Sequence, residues 1–375
     1  MKLQLTARRS NRNSAWSKAP SDASTIASRQ GFKEYDIEPF RITRASFLGR
    51  ILNKLHLLSF VELIQFAVLF NYLILRFYLS RGGELFIQHP IPSIIYADLR
   101  RILSLSRLKH VGVRITLLVH DIGMLRGNSI AVGGKTDTEK EYAVFHVADR
   151  LIVHNERMKS WFLEQGFSEK SLSVLGIFDY LCSPHTQLYS CHPMSNPPRI
   201  AIAGGMAPGK SKFLESLGII TDVSWRLYGP DFDKARIQGA TIEYCGSYPP
   251  DLIPSQLVDA DFGLVWDGDS IETCSGATGQ YLLYNNPHKL SLYVASGLPV
   301  IVWAKSAIAD FVLRHRIGLA VLSLKDIGKA ISNLSASEHA QMHKNINIIG
   351  KRLRQGDFLS QILSDSTLYF CSDKA

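Results

Sequence analysis

Three clusters in this sequence carry residue types that can hold a phosphorylated group. The first is Gly204-Gly205-Met206-Ala207-Pro208-Gly209-Lys210-Ser211, directly after the apolar run RIAIA. It fits GxxxxGK(S/T), the spacing that cradles phosphates with backbone N–H groups, a lysine and a hydroxyl. Pro208 removes one of those donors, and Gly218 leaves room for only about two helical turns after the loop. Two readings stay open there: a P-loop kinase or ATPase, with Asp267 as its metal partner, and a glycine turn that lets a nucleotide approach the backbone. The second cluster, Asp267-Gly268-Asp269, is a DxD pattern that could clamp a metal or be an acidic turn capping its own backbone. The third is Asn286-Pro287-His288-Lys289-Leu290-Ser291. Asn286 can cap a helix beginning at Pro287, where the missing N–H costs nothing. Free N–H groups and the positive dipole end, with Lys289 and Ser291 in the first turn, suit a diphosphate. The plainer alternative is a capped helix whose lysine faces solvent. The buried run Gly297–Trp303 favours the diphosphate, because it sets that helix end at a sheet's carboxyl edge.

Those clusters need elements to position them. LQL opens the chain as a weak strand, and Asp22 is expected to begin or cap a helix ending near Gly31. KEYDIEPF and GELFIQHP follow, with a helix expected over residues 93–109. VRITLLVHDI is a continuous apolar run of the kind buried on both faces of a parallel sheet. A helix at about 139–147, the strand RLIVHN and a helix over 156–165 come next. Residues 182–198, rich in Pro, Ser, His and Cys, mark the best domain boundary. Beyond it RIAIAGG, SWRLYGP, TIEYCG, ADFGLVWD, GLPVIVW and GLAVLS read as strands. KSKFLESL, PSQLVDA, HKLSLYVASG and SAIADFVLRH read as helices. The alternation implies two α/β, Rossmann-like domains with parallel sheets facing across a cleft, where ligands bind at the strands' carboxyl ends. The expected limits are 1–185 for the first domain, 195–345 for the second and 346–375 for a helical tail.

Composition narrows the partners. Through His120 there are 18 Lys and Arg against 7 Asp and Glu, whereas the rest of the chain has 24 against 26. A basic first third calls for nucleic acid, an anionic membrane or an anionic substrate. No RNP1 pattern, zinc-finger spacing or basic-zipper heptad supports nucleic acid. Leu57–Leu79 is long enough to span a bilayer, but Glu62 and Arg76 disfavour it and a buried helix is expected. Phe47–Leu58 sets Phe47, Leu48, Ile51, Leu52, Leu55 and Leu58 on one helical face, with Arg44, Arg50 and Lys54 toward the other, as on an anionic membrane surface. Five scattered cysteines and a start without an apolar signal core point to a cytosolic compartment. The histidines lack HExxH or paired ligand spacing, so no metal is expected.

NNPHKLSLYVASGLPVIVWAKSAIADF resembles the nucleotide-binding half of bacterial GT-B glycosyltransferases related to β-1,6-galactofuranosyltransferases and to the glucosyltransferases of streptococcal serine-rich adhesins. NSAWSKAP, LLVHDIGMLRG, ADRLIVHNERMKSWFLEQGF, LGIFDY and AGGMAPGKSKFL agree in order, so the resemblance spans nearly the whole chain. The glycine turn departs from it, being longer than the AGN-like turn expected. The resemblance implies a UDP-sugar donor, with galactofuranose or glucose as the sugar, and a saccharide or lipid-linked saccharide acceptor. Gly204, Gly205, Lys210 and Ser211 would approach the nucleotide or diphosphate, and Tyr228 and Tyr248 the base or ribose. Asn286, Pro287, His288, Lys289 and Ser291 would hold the diphosphate, while Asn13, Ser14 and Lys18 close over the donor from a loop. No cofactor or metal is implied, because a helix end and a lysine neutralise the leaving diphosphate. An inverting transfer also needs a general base for the acceptor hydroxyl. His120-Asp121 ends the most buried strand of the first domain, which makes Asp121 the candidate; the alternative is that both satisfy backbone groups there. A cytoplasmic enzyme lying against the membrane's inner face, with homo-oligomerisation open, is the expectation. A non-catalytic nucleotide-sugar-binding partner of another transferase is the alternative from a different class.

Overall fold

The computed structural model describes residues 1–6, 15–36, 79, 82–90, 112–126, 137–183, 186, 188 and 193–365. Asn13, Ser14, the basic and apolar stretches between Arg41 and Tyr78, and the helix expected over 93–109 lie outside the described residues. The chain divides into two compact units: Met1–Arg9 with Ala27–Met124 and Ser129–Ile152, and Ser10–Ile26 with Leu125–Asn128 and Val153–Ala375.

The first elements are β1 (Lys2–Thr6), α1 (Ala15–Arg29), β2 (Lys33–Asp36), β3 (Glu84–His89), β4 (Arg114–Val119), α2 (Asp137–Val147) and β5 (Arg150–Val153). They are followed by α3 (Glu156–Glu164) and β6 (Leu172–Val174). The strands form one sheet in the order β2-β1-β3-β4-β5-β6. The pairs from β2 through β5 are parallel. Helices and loops cover both faces of such a sheet, which is why Leu85, Phe86 and Ile87 of β3 and Ile115, Leu117 and Leu118 of β4 are all buried. One expectation fails here. Asp22 does not begin a helix; α1 starts seven residues earlier and runs through Pro20. The helix buries one face, and there Asp22 accepts from the Lys18 ammonium one turn back at 2.7 Å.

The second sheet consists of β7 (Arg199–Ala203), β8 (Ser224–Tyr228), β9 (Ile242–Gly246), β10 (Phe262–Val265), β11 (Val300–Trp303) and β12 (Gly318–Val321). Its order is β12-β11-β10-β7-β8-β9, with every pair parallel. In chain order this is the doubly wound 3-2-1-4-5-6 arrangement, whose strand order reverses between β7 and β10. Alternate residues of each strand feed opposite cores. Ala201, Ala203, Val265, Val300 and Val302 pack with Leu290, Tyr293 and Val294 on one face. On the other face Ile200, Ile202, Phe262, Leu264 and Ile301 pack with Phe213, Leu214 and Trp225. Intervening helices are α4 (Pro208–Ser211), α5 (Gly276–Tyr281), α6 (His288–Ser296) and α7 (Ala309–His315), with α8 (Ile327–Ser332), α9 (Ala336–Gln355) and α10 (Asp357–Ser364) completing the chain. Gly297, at φ 87°, ends α6 in the left-handed conformation that glycine adopts without strain. α9 runs unbroken past residue 345, so no element ends at the expected tail boundary.

Two expected helices do not form. KSKFLESL continues the single α-helical turn Pro208–Ser211 for two residues and then becomes a 3-10 helix, Lys212–Ile219. The backbone there pairs elsewhere: the Gly268 N–H donates to the Lys210 carbonyl and the Phe213 N–H to the Gly268 carbonyl, at 3.0 and 3.1 Å. PSQLVDA contributes only a short 3-10 turn, Ile253–Gln256.

The N-terminus of α10 is capped from far away in sequence, where the buried Asp179 carboxylate accepts from the Phe358 and Leu359 N–H groups at 3.2 and 2.8 Å. Burial outweighs those bonds and pushes the Asp179 carboxyl up to about 7. Asp22, driven chiefly by burial and opposed by Lys18, rises to about 6. Both groups bind a proton more tightly folded than unfolded. Their contribution to stability is therefore complete below the ordinary carboxylate range and is lost as pH climbs toward about 7. Thermal stability should fall between about pH 4 and about pH 7, and Asp179→Asn should flatten that slope. An unchanged slope would remove Asp179 from the account.

Candidate active-site residues

The reversal point of the second sheet is where a doubly wound fold offers its ligand crevice. β7 ends at Ala203 and β10 at Val265, so Gly204-Gly205 and Asp267-Gly268 emerge side by side. Gly204 sits at φ 140° and Gly229, which follows β8, at φ 150°. A Cβ on Gly229 would strike the Gly204 carbonyl, so only glycine fits that crossing. A Cβ on Gly204 would lie 3.0 Å from Lys289 Cε, so the lysine of α6 lies directly against this turn.

Lys289 and Asp267 make the central contact. The ammonium lies 2.9 Å from Asp267 Oδ1 and donates to the Trp266 carbonyl at 3.2 Å. Both residues are buried, at 9% and 6% exposure, so the pair is only weakly screened. Asp267 thus serves as the lysine's counter-ion. Asp269 crowds Gly276 instead, and among the described residues no three acidic, histidine or cysteine side chains form a metal-ligating group.

α6 is anchored by a residue that its sequence does not advertise. The Tyr293 ring lies against Gly263, where a Cβ would collide with it, and Tyr293 Oη accepts from the Ala203 N–H at 2.8 Å. This bond satisfies the last amide of β7 and ties the middle of α6 to the strand end from which the glycine turn departs. The N-cap is Pro287, which has no capping side chain, so Asn286 does not cap the helix. Instead the Asn286 amide group donates to the His154 and Gly176 carbonyls at 2.9 and 2.7 Å and accepts from Asn155 at 2.7 Å. Its own N–H donates to His154 Nδ1 at 2.9 Å. Asn286 is therefore a buried tie for the turn before α6, and nothing in its spacing foretells His154, Asn155 or Gly176 as partners.

The other candidates divide. Ser211 is buried and donates to the Gly205 carbonyl at 3.0 Å, closing the glycine turn on itself. Ser291 is enclosed within α6. His288 is hydrogen-bonded to the Asp179 backbone and stacks on Tyr180 with ring centroids 5.0 Å apart. Burial, reinforced by the Lys18 charge, lowers its imidazole to about 3, so it stays neutral and leaves the positive charge to Lys289. Tyr228 is buried at the end of β8, its phenol pushed well up by burial, whereas Tyr248 lies half-buried over Gly246. Lys18 is in a helix and not in a loop. Its ammonium is enclosed by Asp22, Asp251 at 2.9 Å and the Leu181 carbonyl at 2.7 Å, which leaves it committed to that cluster.

The P-loop reading fails on backbone geometry. The N–H groups of Gly204, Met206, Lys210 and Ser211 all donate to protein carbonyls, and no long helix follows the loop. A phosphate cradle needs those donors free.

In the first unit, His120 and Asp121 follow β4 directly and are both half-buried. His120 Nε2 lies 2.7 Å from Gln88 Oε1 at the end of β3. The carboxyl edge therefore presents an oriented imidazole beside a carboxylate.

Residues 4–177 match the model of the glucosyltransferase 3-like N-terminal domain, and residues 200–366 that of its C-terminal domain. The chain belongs to the glucosyltransferase 3-like family. It is 34% identical to β-1,6-galactofuranosyltransferase WbbI of Escherichia coli (strain K12) over 67% of this chain and 71% of that protein. It is 22% identical to glucosyltransferase 3 of Streptococcus gordonii over 70% of this chain and 74% of that one. Among solved structures it resembles Anabaena HepE in complex with UDP, with a TM-score of 0.54, 10% identity and coverage of 97% and 98% of the two chains. The chain is a glycosyltransferase of the GT-B fold, as its NPHK and GLPVIVW segments suggested.

Proposed function

We propose that this glycosyltransferase takes its sugar from a UDP-sugar, with galactofuranose as the first candidate and glucose as the second, and transfers it to a saccharide hydroxyl. The names of its 34%- and 22%-identical relatives support that order. The observation that carries the donor site is Lys289, whose ammonium lies at the reversal point of the second sheet, against Gly204 and at the start of α6. Lys289 and the helix N-terminus would neutralise the leaving diphosphate without a metal, Gly204, Gly205 and Lys210 would face the nucleotide, and Tyr248 would meet the base or ribose. Asp121 would take the acceptor proton, with His120 beside it.

A thermal-shift panel of nucleotide sugars against ATP and GTP tests the donor. A ligand at about 100 times its Kd adds roughly 2.7 kcal/mol of stability. UDP-sugars should stabilise the chain; stabilisation by ATP–Mg²⁺ with none by any UDP compound would overturn the proposal.

No helix among the described residues is long and apolar enough to cross a membrane. The basic first third supports a peripheral position on the cytoplasmic face of the membrane, near lipid-linked acceptors. Sedimentation should then require anionic vesicles, and equal pelleting with neutral ones would count against it.

A further inference from the structure

The residues that hold Asp121 in place are as specific as Asp121 itself. Two residues after it, the chain turns through Gly123 and Met124, and both N–H groups point at one carboxylate. Glu141 of α2 accepts from the Gly123 N–H at 2.7 Å through Oε1 and from the Met124 N–H at 3.1 Å through Oε2. Its Oε1 also lies 3.0 Å from Nε2 of His89, the last residue of β3. Glu141 is 5% exposed and His89 fully enclosed, its ring edge-on to Phe145 with centroids 4.7 Å apart. Burial disfavours a charge on Glu141, but the bonds from His89 and the two amides outweigh it and hold the carboxyl below its usual range. A buried, ionised acidic group here reaches no substrate, because its oxygens already accept from His89 and the two amides.

We infer that Glu141, backed by His89, is a positioning residue that fixes the turn carrying Asp121 for proton abstraction. This rests on the proposal that Asp121 is the base. The physical requirement is geometric: a catalytic group must be held within about 0.5 Å of its productive position, and rates fall about 100-fold when it drifts by about 1 Å. α2 supplies a rigid mount, and its carboxylate binds the turn and the end of the neighbouring strand together. His120 is bonded in parallel to Gln88, so two side-chain links join the ends of β3 and β4 to this edge.

The test uses steady-state kinetics on the full chain, well below every variant's melting temperature. Glu141→Gln keeps the shape but replaces an acceptor oxygen with an amide that repels one of the backbone N–H groups. It should lower kcat about 10- to 100-fold while KM for the donor stays within about threefold. In an Asp121→Asn background the same change should have no further effect on residual turnover. His89→Gln, which keeps a donor toward Glu141, should retain most of kcat, and His89→Leu should not. Unchanged kcat in Glu141→Gln, or an equal loss with and without Asp121, would overturn the inference. The two levels separate cleanly. Full activity in Asp121→Asn defeats the base assignment, whereas an inactive Asp121→Asn beside a fully active Glu141→Gln defeats the positioning role alone.

Discussion

Asp121→Asn should lower sugar transfer by a factor of about 100 to 10,000, the range a general base contributes, and leave UDP affinity within a few-fold. The asparagine is nearly isosteric and still accepts a hydrogen bond, but it cannot remove a proton. Asp121 follows β4 in the first unit, while the glycine turn, Lys289 and α6 belong to the second. A base defect should therefore appear in kcat and not in nucleotide binding. Turnover equal to that of the unaltered chain would sink the assignment and move attention to His120.

Lys289→Met should have the opposite signature. Losing a charged hydrogen-bond donor to the diphosphate costs about 1.5–3 kcal/mol, which is roughly a 10- to 100-fold weaker Kd for UDP. It also strands Asp267, a carboxylate at 6% exposure whose ammonium partner lies at 2.9 Å. Breaking a buried pair by removing one member destabilises by about 3–5 kcal/mol. Binding and folding would then fall together, and one variant could not separate them. Lys289→Met with Asp267→Asn removes the stranded charge, so it should recover melting temperature without recovering UDP affinity. Recovery of both would make Lys289 a structural residue only.

The strands of the second sheet were legible because strands buried on both faces must be apolar throughout. RIAIA, FGLV and VIVW lie where those runs place them, and the glycine after YVAS ends α6 in the left-handed conformation. That Lys289 falls in the first turn of α6 was legible from Pro287, which marks a helix start. Less legible was whatever depends on contacts distant in the chain. Asn286 has the composition of a cap, yet His154, Asn155 and Gly176, more than 100 residues earlier, claim its side chain. Lys289 and Asp267 stand 22 positions apart, so the acidic turn that suggested a metal clamp is a counter-ion to the lysine. Tyr293 occupies an ordinary core position in its helix, and only the fold shows its hydroxyl closing the last amide of β7. Asp22 has the composition of a helix start, yet α1 begins at Ala15 and carries Pro20 in its second turn, where the proline leaves most of the helix's hydrogen bonds intact. GGMAPGKS matched a phosphate motif by residue type, but the N–H groups of Gly204, Met206, Lys210 and Ser211 are bonded to protein carbonyls.

The central claim is transfer of a sugar from a UDP donor held at the edge of the second sheet. Its most direct test is product analysis of the purified chain with UDP-galactofuranose or UDP-glucose, a saccharide acceptor and EDTA. The account predicts UDP release in step with a lengthened saccharide, lost in the Lys289→Met/Asp267→Asn variant. ADP formation from ATP and Mg²⁺, with no saccharide product from any UDP-sugar, would contradict it.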